Sequence, residues 1–130
     1  MRILGIGVDI VEIARMDAAI QRQGQSLLDR CFLPGEQAYC NQQRQPGRAY
    51  AARFAAKEAI AKALGTGIGA HLEWLSVEVR RKATGEPFVV LLGIGAETAR
   101  RLGITEIFLS LSHSDHYAVA NAVVTGADTK

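Results

Sequence analysis

One stretch leaves this chain few choices: Arg53-Phe54-Ala55-Ala56-Lys57-Glu58-Ala59-Ile60-Ala61-Lys62-Ala63-Leu64. Alanine, leucine and long unbranched charged residues favour a helix, and Gly65 and Gly67 supply the residue type that commonly ends one. At about 100° per residue, Glu58 and Lys62 fall on one flank of a Tyr50, Phe54, Ala61 stripe. Arg53 and Lys57 fall on the other flank, and the remaining arc is nearly all alanine. An ordinary surface helix segregates its charges opposite the core face. This one is apolar or small almost all round, the pattern of a helix packed on several sides with its charges facing a cleft. The alternative is a solvated helix with Glu58 and Lys62 as an i,i+4 pair worth about 0.2–0.5 kcal/mol.

The N-terminal run Ile3-Leu4-Gly5-Ile6-Gly7-Val8-Asp9-Ile10-Val11 predicts a strand. Its period of two puts Leu4, Ile6, Val8 and Ile10 on one face and Gly5, Gly7 and Asp9 on the other. Glycine inside a strand marks a place where something approaches the backbone closely. Asp9 then stands at a strand end beside cleared space; equally, aspartate is a favoured cap for the helix that follows. The Gly-x-Gly lacks the third glycine and the immediate helix of a dinucleotide-binding fingerprint.

A short helix over Glu12–Gln23 turns Ile13, Met16, Ala19 and Ile20 inward and carries Arg15 on its early turns. Pro34 opens another near Phe32–Glu36, with Tyr39 facing the core. Gln42 to Gly47 reads as an exposed loop before the long helix, Arg48 to Leu64. Beyond Gly69 the period changes to two. Leu75, Val77 and Val79 form one strand, Thr84-Gly85-Glu86-Pro87 turns, and Phe88 to Leu92 completes a hairpin. A helix over Glu97–Leu102 and two strands, Glu106–Ser112 and Tyr117–Thr125, follow, with a tail at 126–130 expected to be disordered. The order of elements predicts one α+β domain over residues 1–125, a small antiparallel sheet with a long central helix packed on it.

At 130 residues the chain is large enough for a single core and too small for two. Its formal net charge of +2 suits an acidic partner or a phosphorylated ligand and falls far short of a dedicated nucleic-acid binder. No segment has the length and apolarity of a membrane span, and Met1–Ile10 lacks the features of a secretory signal, so a cytoplasmic location is expected. Cys31 and Cys40 have no second metal-ligand pair beside them and read as free buried thiols.

Chemistry-bearing residues stand at element ends: Asp9, Glu58 with Lys62, and His113 in the turn between the last two strands. Two carboxylates from separate elements make the hard oxygen site that magnesium prefers, its other ligands coming from water and substrate phosphates. Lysine and histidine nearby suit those phosphates, although His113 also reads as a turn residue bonding the backbone.

Four motifs in order resemble one family. They are Gly5-Ile6-Gly7-Val8-Asp9 with Arg15; Phe54-Ala55-Ala56-Lys57-Glu58-Ala59 with Lys62-Ala63-Leu64-Gly65-Thr66-Gly67; Thr84-Gly85-Glu86-Pro87; and Leu109-Ser110-Leu111-Ser112-His113-Ser114 with Tyr117-Ala118-Val119-Ala120. Together they resemble the holo-acyl-carrier-protein synthases, the short bacterial type of 4′-phosphopantetheinyl transferase, from about Ile3 to Val124. At Leu33 the family usually has a threonine, which would cap the short helix.

The resemblance implies the 4′-phosphopantetheinyl transferase fold. It implies transfer of the 4′-phosphopantetheine arm of coenzyme A to a serine of apo acyl carrier protein, in support of fatty acid biosynthesis, with release of adenosine 3′,5′-bisphosphate. It makes Asp9 and Glu58 the Mg²⁺ ligands, with Asp9, Glu58 and Lys62 as the catalytic set. Arg53 and His113 match positions that hold nucleotide phosphates, Gly85 to Pro87 the loop beside the adenine, and Arg15 the position that docks the acidic carrier helix. It also implies a homotrimer with each site completed across a subunit interface. Lys57 is left with a ligand or interface role. From other classes, a non-catalytic module binding a nucleotide or acidic protein through Arg53, Lys57, Lys62 and His113 competes with this reading, as does a Mg²⁺-dependent diphosphate hydrolase.

Overall fold

In the computed structural model residues 1–128 are described. The elements in order are β1 (Arg2–Glu12), α1 (Ile13–Gln23), α2 (Gln25–Cys31), α3 (Pro34–Asn41), α4 (Pro46–Leu64), a 3₁₀ turn (Trp74–Ser76), β2 (Val77–Arg81), β3 (Pro87–Leu91), α5 (Gly93–Leu102), β4 (Ile104–His113) and β5 (Tyr117–Gly126). Strands β1, β5 and β4 form an antiparallel sheet in that spatial order, and β2 with β3 forms a separate hairpin. The predicted α+β architecture is therefore present, with α4 lying across the three-stranded sheet.

Small residues on both surfaces decide how closely that helix approaches. From β5 the sheet presents Ala118, Ala120, Ala122 and Val124, all buried; from α4 come Ala55, Ala56, Ala59 and Ala63. Gly5 and Gly7 of β1 complete the seat. A Cβ on Gly7 would fall on the carbonyl oxygen of Ala59, and one on Gly5 on that of Ala63. The group that approaches this strand so closely is thus the chain's own helix, which corrects the expectation of open space beside Asp9. Gly7→Ala is expected to cost roughly 1–3 kcal/mol or more, since two backbones would have to part. A urea midpoint unchanged from the parent would contradict that packing.

With the glycine face inward, the apolar face of β1 points outward. Ile6 is 71%, Val8 55% and Ile10 61% exposed, and Phe108 of β4, paired through Val123, joins the same outer surface. No described element covers this face.

The long helix ends where its glycines predict. Gly65 takes φ +80°, and the Gly67 amide closes the end by donating to the Ala61 carbonyl at 3.2 Å, as glycine permits without a Cβ clash. Sequence periodicity missed α2, seven residues that begin straight after Gly24. Leu75, expected inside a strand, lies in the 3₁₀ turn and is exposed, while Val77 and Val79 fill the core. Gly126, assigned to the tail, is the last residue of β5, and the Asp128 carboxylate pairs with the Met1 amino group at 3.2 Å. The rest of that tail, residues 129–130, lies outside the described residues. Cys31 and Cys40 are free and buried as expected, and burial pushes the Cys40 thiol up to about 11. No helix among the described residues is long and apolar enough to cross a membrane.

Candidate active site

From Tyr50 to Leu64 every residue of α4 is buried except Phe54, Glu58 and Lys62. Their spacing of four makes one ridge along the helix, and that ridge is where charge meets solvent. Phe54 was expected on the core stripe. Instead it is half-buried and stacks on Trp74, with ring centroids 4.6 Å apart.

The ridge borders a cleft of about 550 Å³ between α4, the end of β1 and α1. Asp9 and Glu58 line it together with Arg15, Arg22, Met16, Leu27 and Phe54. Asp9 faces α4 because its β5 partner, Ala120, lies on the buried side of the sheet. The capping alternative is not realised: Glu12 occupies the cap position of α1, without a side-chain cap bond. The carboxyl of Glu58 holds its proton more tightly than an ordinary glutamate, first because it is partly buried and then because the charge of Asp9 stands near; Lys62 opposes the shift. Two carboxylates on one cleft wall form a place where a cation is welcome.

Lys62 completes this group by reaching back to β1. Its Nζ donates to Asp9 Oδ1 at 2.9 Å and to the Val8 carbonyl at 3.0 Å. Among the described residues Lys62 has its ion pair with Asp9, and none is formed with Glu58. The i,i+4 alternative is therefore not what the side chains do.

The opposite flank of α4 turns inward, which overturns the ligand or interface role for Lys57. Lys57 is fully buried and its ammonium spends three donors inside the chain, on Glu36 Oε1 at 2.7 Å, the Cys31 carbonyl at 2.7 Å and the Trp74 carbonyl at 2.9 Å. Glu36 in turn accepts from the Leu33 amide at 2.9 Å and the Val79 amide at 2.8 Å. Glu36 thus makes the half of a capping box that satisfies the Leu33 amide, while the half a threonine hydroxyl would make is absent and α3 starts at Pro34 without a side-chain cap. Glu36, named in the sequence only as the end of the Phe32–Glu36 run, is the residue sequence reasoning missed; its one signal is a lysine on an alanine-rich helix, which needs a buried acid if it turns inward.

Arg53 is 2% exposed, with its guanidinium 4.1 Å above the Tyr39 ring and its Nε unpartnered. Arg81 lies over the same ring at 5.7 Å, and its Nη1 donates to the Gly85 carbonyl at 2.6 Å. Tyr39, expected only to face the core, and Arg81, not singled out in the sequence, thus tie Arg53 to the turn that precedes Pro87. His113 is exposed at the end of β4. It and Val11 face the same β5 residue, Ala118, from opposite sides, a separation of about 10 Å across two strand spacings. The chain brings Asp9, Glu58 and Arg15 to one cleft, and Lys62, outside its lining, joins them through its ion pair with Asp9. Arg53 with Gly85 and Pro87 forms a second group, His113 stands apart, and none of these four lines the cleft. Arg22, seven residues beyond Arg15 on the same helix face, was legible from spacing and was overlooked.

Comparison with known proteins agrees along nearly the whole chain. The sequence model of the 4′-phosphopantetheinyl transferase superfamily matches residues 5–122. The holo-[acyl-carrier-protein] synthase of Moorella thermoacetica is 47% identical over 121 residues, 93% of each chain. The crystal structure of holo-[acyl-carrier-protein] synthase from Neisseria meningitidis superposes with a TM-score of 0.89 at 32% identity, covering 95% of this chain and 98% of that one. The Helicobacter pylori holo-[acyl-carrier-protein] synthase, solved in complex with coenzyme A, superposes with a TM-score of 0.83 at 32% identity over 92% of this chain and 99% of its own.

Proposed function

The chain belongs to the 4′-phosphopantetheinyl transferase superfamily, and from that premise we propose that it moves the 4′-phosphopantetheine arm of coenzyme A onto a serine hydroxyl of apo acyl carrier protein. Adenosine 3′,5′-bisphosphate leaves. The observation that carries this reading is the meeting of Asp9, Glu58 and Lys62 at one edge of a cleft, on a chain whose relatives bear this activity in their names.

The donor set fits magnesium. Asp9 and Glu58 are hard oxygen ligands from two elements, and no cluster of three or more His, Cys, Asp or Glu side chains suited to a metal exists among the described residues. A cation held by two carboxylates leaves positions for water and phosphate oxygens. Bound there, Mg²⁺ would supply neutralisation of the diphosphate charge. Lys62, a half-exposed ammonium on the same ridge, offers a second positive charge to the transferring phosphate, where phosphoryl transfer depends on positioning and electrostatics. A water held beside Glu58 is suited to take the serine proton.

Arg53 and the Gly85–Pro87 turn form the nucleotide seat in this reading, joined through Tyr39 and Arg81, and His113 adds a phosphate contact. Because these groups stand apart from the cleft in one chain, the reading includes a homotrimer in which a neighbour completes each site. The uncovered outer face of Ile6, Val8, Ile10 and Phe108 supports that assembly, since contiguous exposed apolar patches mark interfaces. Val8→Glu is expected to shift sedimentation from three chains to one; a parent that already sediments as a single chain would rule the trimer out.

Arg15 and Arg22 give the cleft a basic wall suited to an acidic helix of the carrier. Arg15→Ala is expected to raise the KM for carrier protein about tenfold with coenzyme A affinity unchanged, and an equal loss for both substrates would remove Arg15 from docking. The function itself is tested by incubating the protein with coenzyme A, Mg²⁺ and an apo carrier, then weighing the carrier. A mass gain of one phosphopantetheine arm is expected. Nucleotide release without carrier would favour a diphosphate hydrolase, and neither product would favour a binding module. Support of fatty acid biosynthesis follows if the carrier is the fatty acid one.

A further inference from the structure

We propose that Lys62 is the resident counter-ion of Asp9 and that a divalent cation takes its place, freeing the ammonium to meet the substrate phosphate. This rests on the metal reading of Asp9 and Glu58.

Three observations lead to it. The Lys62 ammonium is held by one carboxylate oxygen and one backbone carbonyl, Asp9 Oδ1 at 2.9 Å and Val8 O at 3.0 Å. These are hard oxygens of the kind a divalent cation takes. Its side chain is 51% exposed while that of Asp9 is 19% exposed, so the ammonium has room to leave toward solvent whereas the carboxylate is fixed. Finally, Lys62 stands one turn beyond Glu58 on the exposed ridge of α4, about 6 Å along the axis.

Charge explains why these facts belong together. Asp9 and Glu58 line the wall of one cleft, and two ionised carboxylates repel each other. A lysine on Asp9 relieves that repulsion until a cation arrives. A divalent cation brought onto the Asp9 carboxylate repels the ammonium already held at Oδ1, so cation binding favours its release. Its four-carbon stem is flexible and anchored beside the cleft, so the released charge stays within reach of an anion at that edge. No proton is transferred: Lys62 remains an ammonium and exchanges one oxygen partner for another. Cation and phosphate binding thereby become mutually favourable, because the first releases the group that the second uses.

The test is calorimetric titration of Mg²⁺ into metal-free full-length protein without coenzyme A. Lys62→Met is expected to bind Mg²⁺ about five- to tenfold more tightly than the parent, because no ion pair must be broken, while Lys62→Arg retains the weaker affinity. Arg15→Met removes an equal charge from the cleft that Asp9 lines but no ion pair with Asp9, and is expected to gain distinctly less. In ¹⁵N spectra of the lysine ammonium groups, the Lys62 signal should be protected without metal and lost as Mg²⁺ is added. Equal or weaker binding by Lys62→Met overturns the exchange, as does an equal gain in Arg15→Met, which would reveal only a long-range field. Should neither the parent nor Lys62→Met bind Mg²⁺, the metal reading fails and the exchange with it.

Discussion

Glu58→Ala is expected to lower transfer to the carrier by roughly 10²–10³-fold, the scale of losing one charge-stabilising group in an active site, and Asp9→Ala to do the same. The loss should come with weakened Mg²⁺ dependence and an intact fold, because both carboxylates face the cleft and neither holds a backbone group in the core. Glu58→Gln adds a sharper result. The folded chain holds the Glu58 proton more tightly than an ordinary glutamate, by partial burial first and Asp9 second. With the folded-state value raised, stability falls as pH rises from the ordinary glutamate range to the raised value, and the ionised group stays destabilising at neutral pH. Glutamine removes that charge. Its urea midpoint should exceed the parent's at pH 7, with the gap closing below the ordinary glutamate range, where both states carry the proton. A variant that is inactive yet more stable would mark Glu58 as a residue kept for function. Unfolding of both alanine variants would point instead to structural roles.

Lys57→Met is expected to be the most damaging single change to stability, by about 3–5 kcal/mol, because it leaves the Glu36 carboxylate buried without its partner. Against a typical total of about 5–15 kcal/mol, that brings the chain close to unfolding. Glu36→Leu should cost as much. Restoring apolarity with both substitutions should recover little, unlike many buried ion pairs. The pair also satisfies four backbone groups, the carbonyls of Cys31 and Trp74 and the amides of Leu33 and Val79. Each would be left unpaired at about 1–3 kcal/mol. Urea unfolding of the two single variants and the double variant decides the matter; a loss under about 1 kcal/mol in either single variant would mean that the buried network contributes little. Through this pair α2, α3, α4 and the middle of β2 are fastened at one point. The same point holds the backbone of Trp74, whose ring stacks on Phe54 in the cleft.

The sheet, the hairpin, the long helix and its glycine stop were legible because period and turn chemistry are local properties. So were Asp9, Glu58 and Lys62 as members of one group, since an acid at a strand end and a charged turn in an alanine helix are visible without partners. The facing of β1 was not. Alternation separates Ile6, Val8 and Ile10 from Gly5 and Gly7, but which face is inside depends on what the helix brings. An alanine helix packs against glycine, so the bare face was buried and the apolar face left outward.

The two flanks of α4 divide in the same way. Sequence by itself determined that Glu58 and Lys62 share one flank and Arg53 and Lys57 the other, because the helical pitch is fixed by backbone hydrogen bonding. Only the tertiary structure decided that the first flank is wet and the second dry. That choice turned on Glu36, twenty-one residues before Lys57, whose carboxylate made burial of a lysine tolerable. Desolvation of a charge is repaid only by a partner at contact distance, and a contact across that separation exists only once the chain has folded.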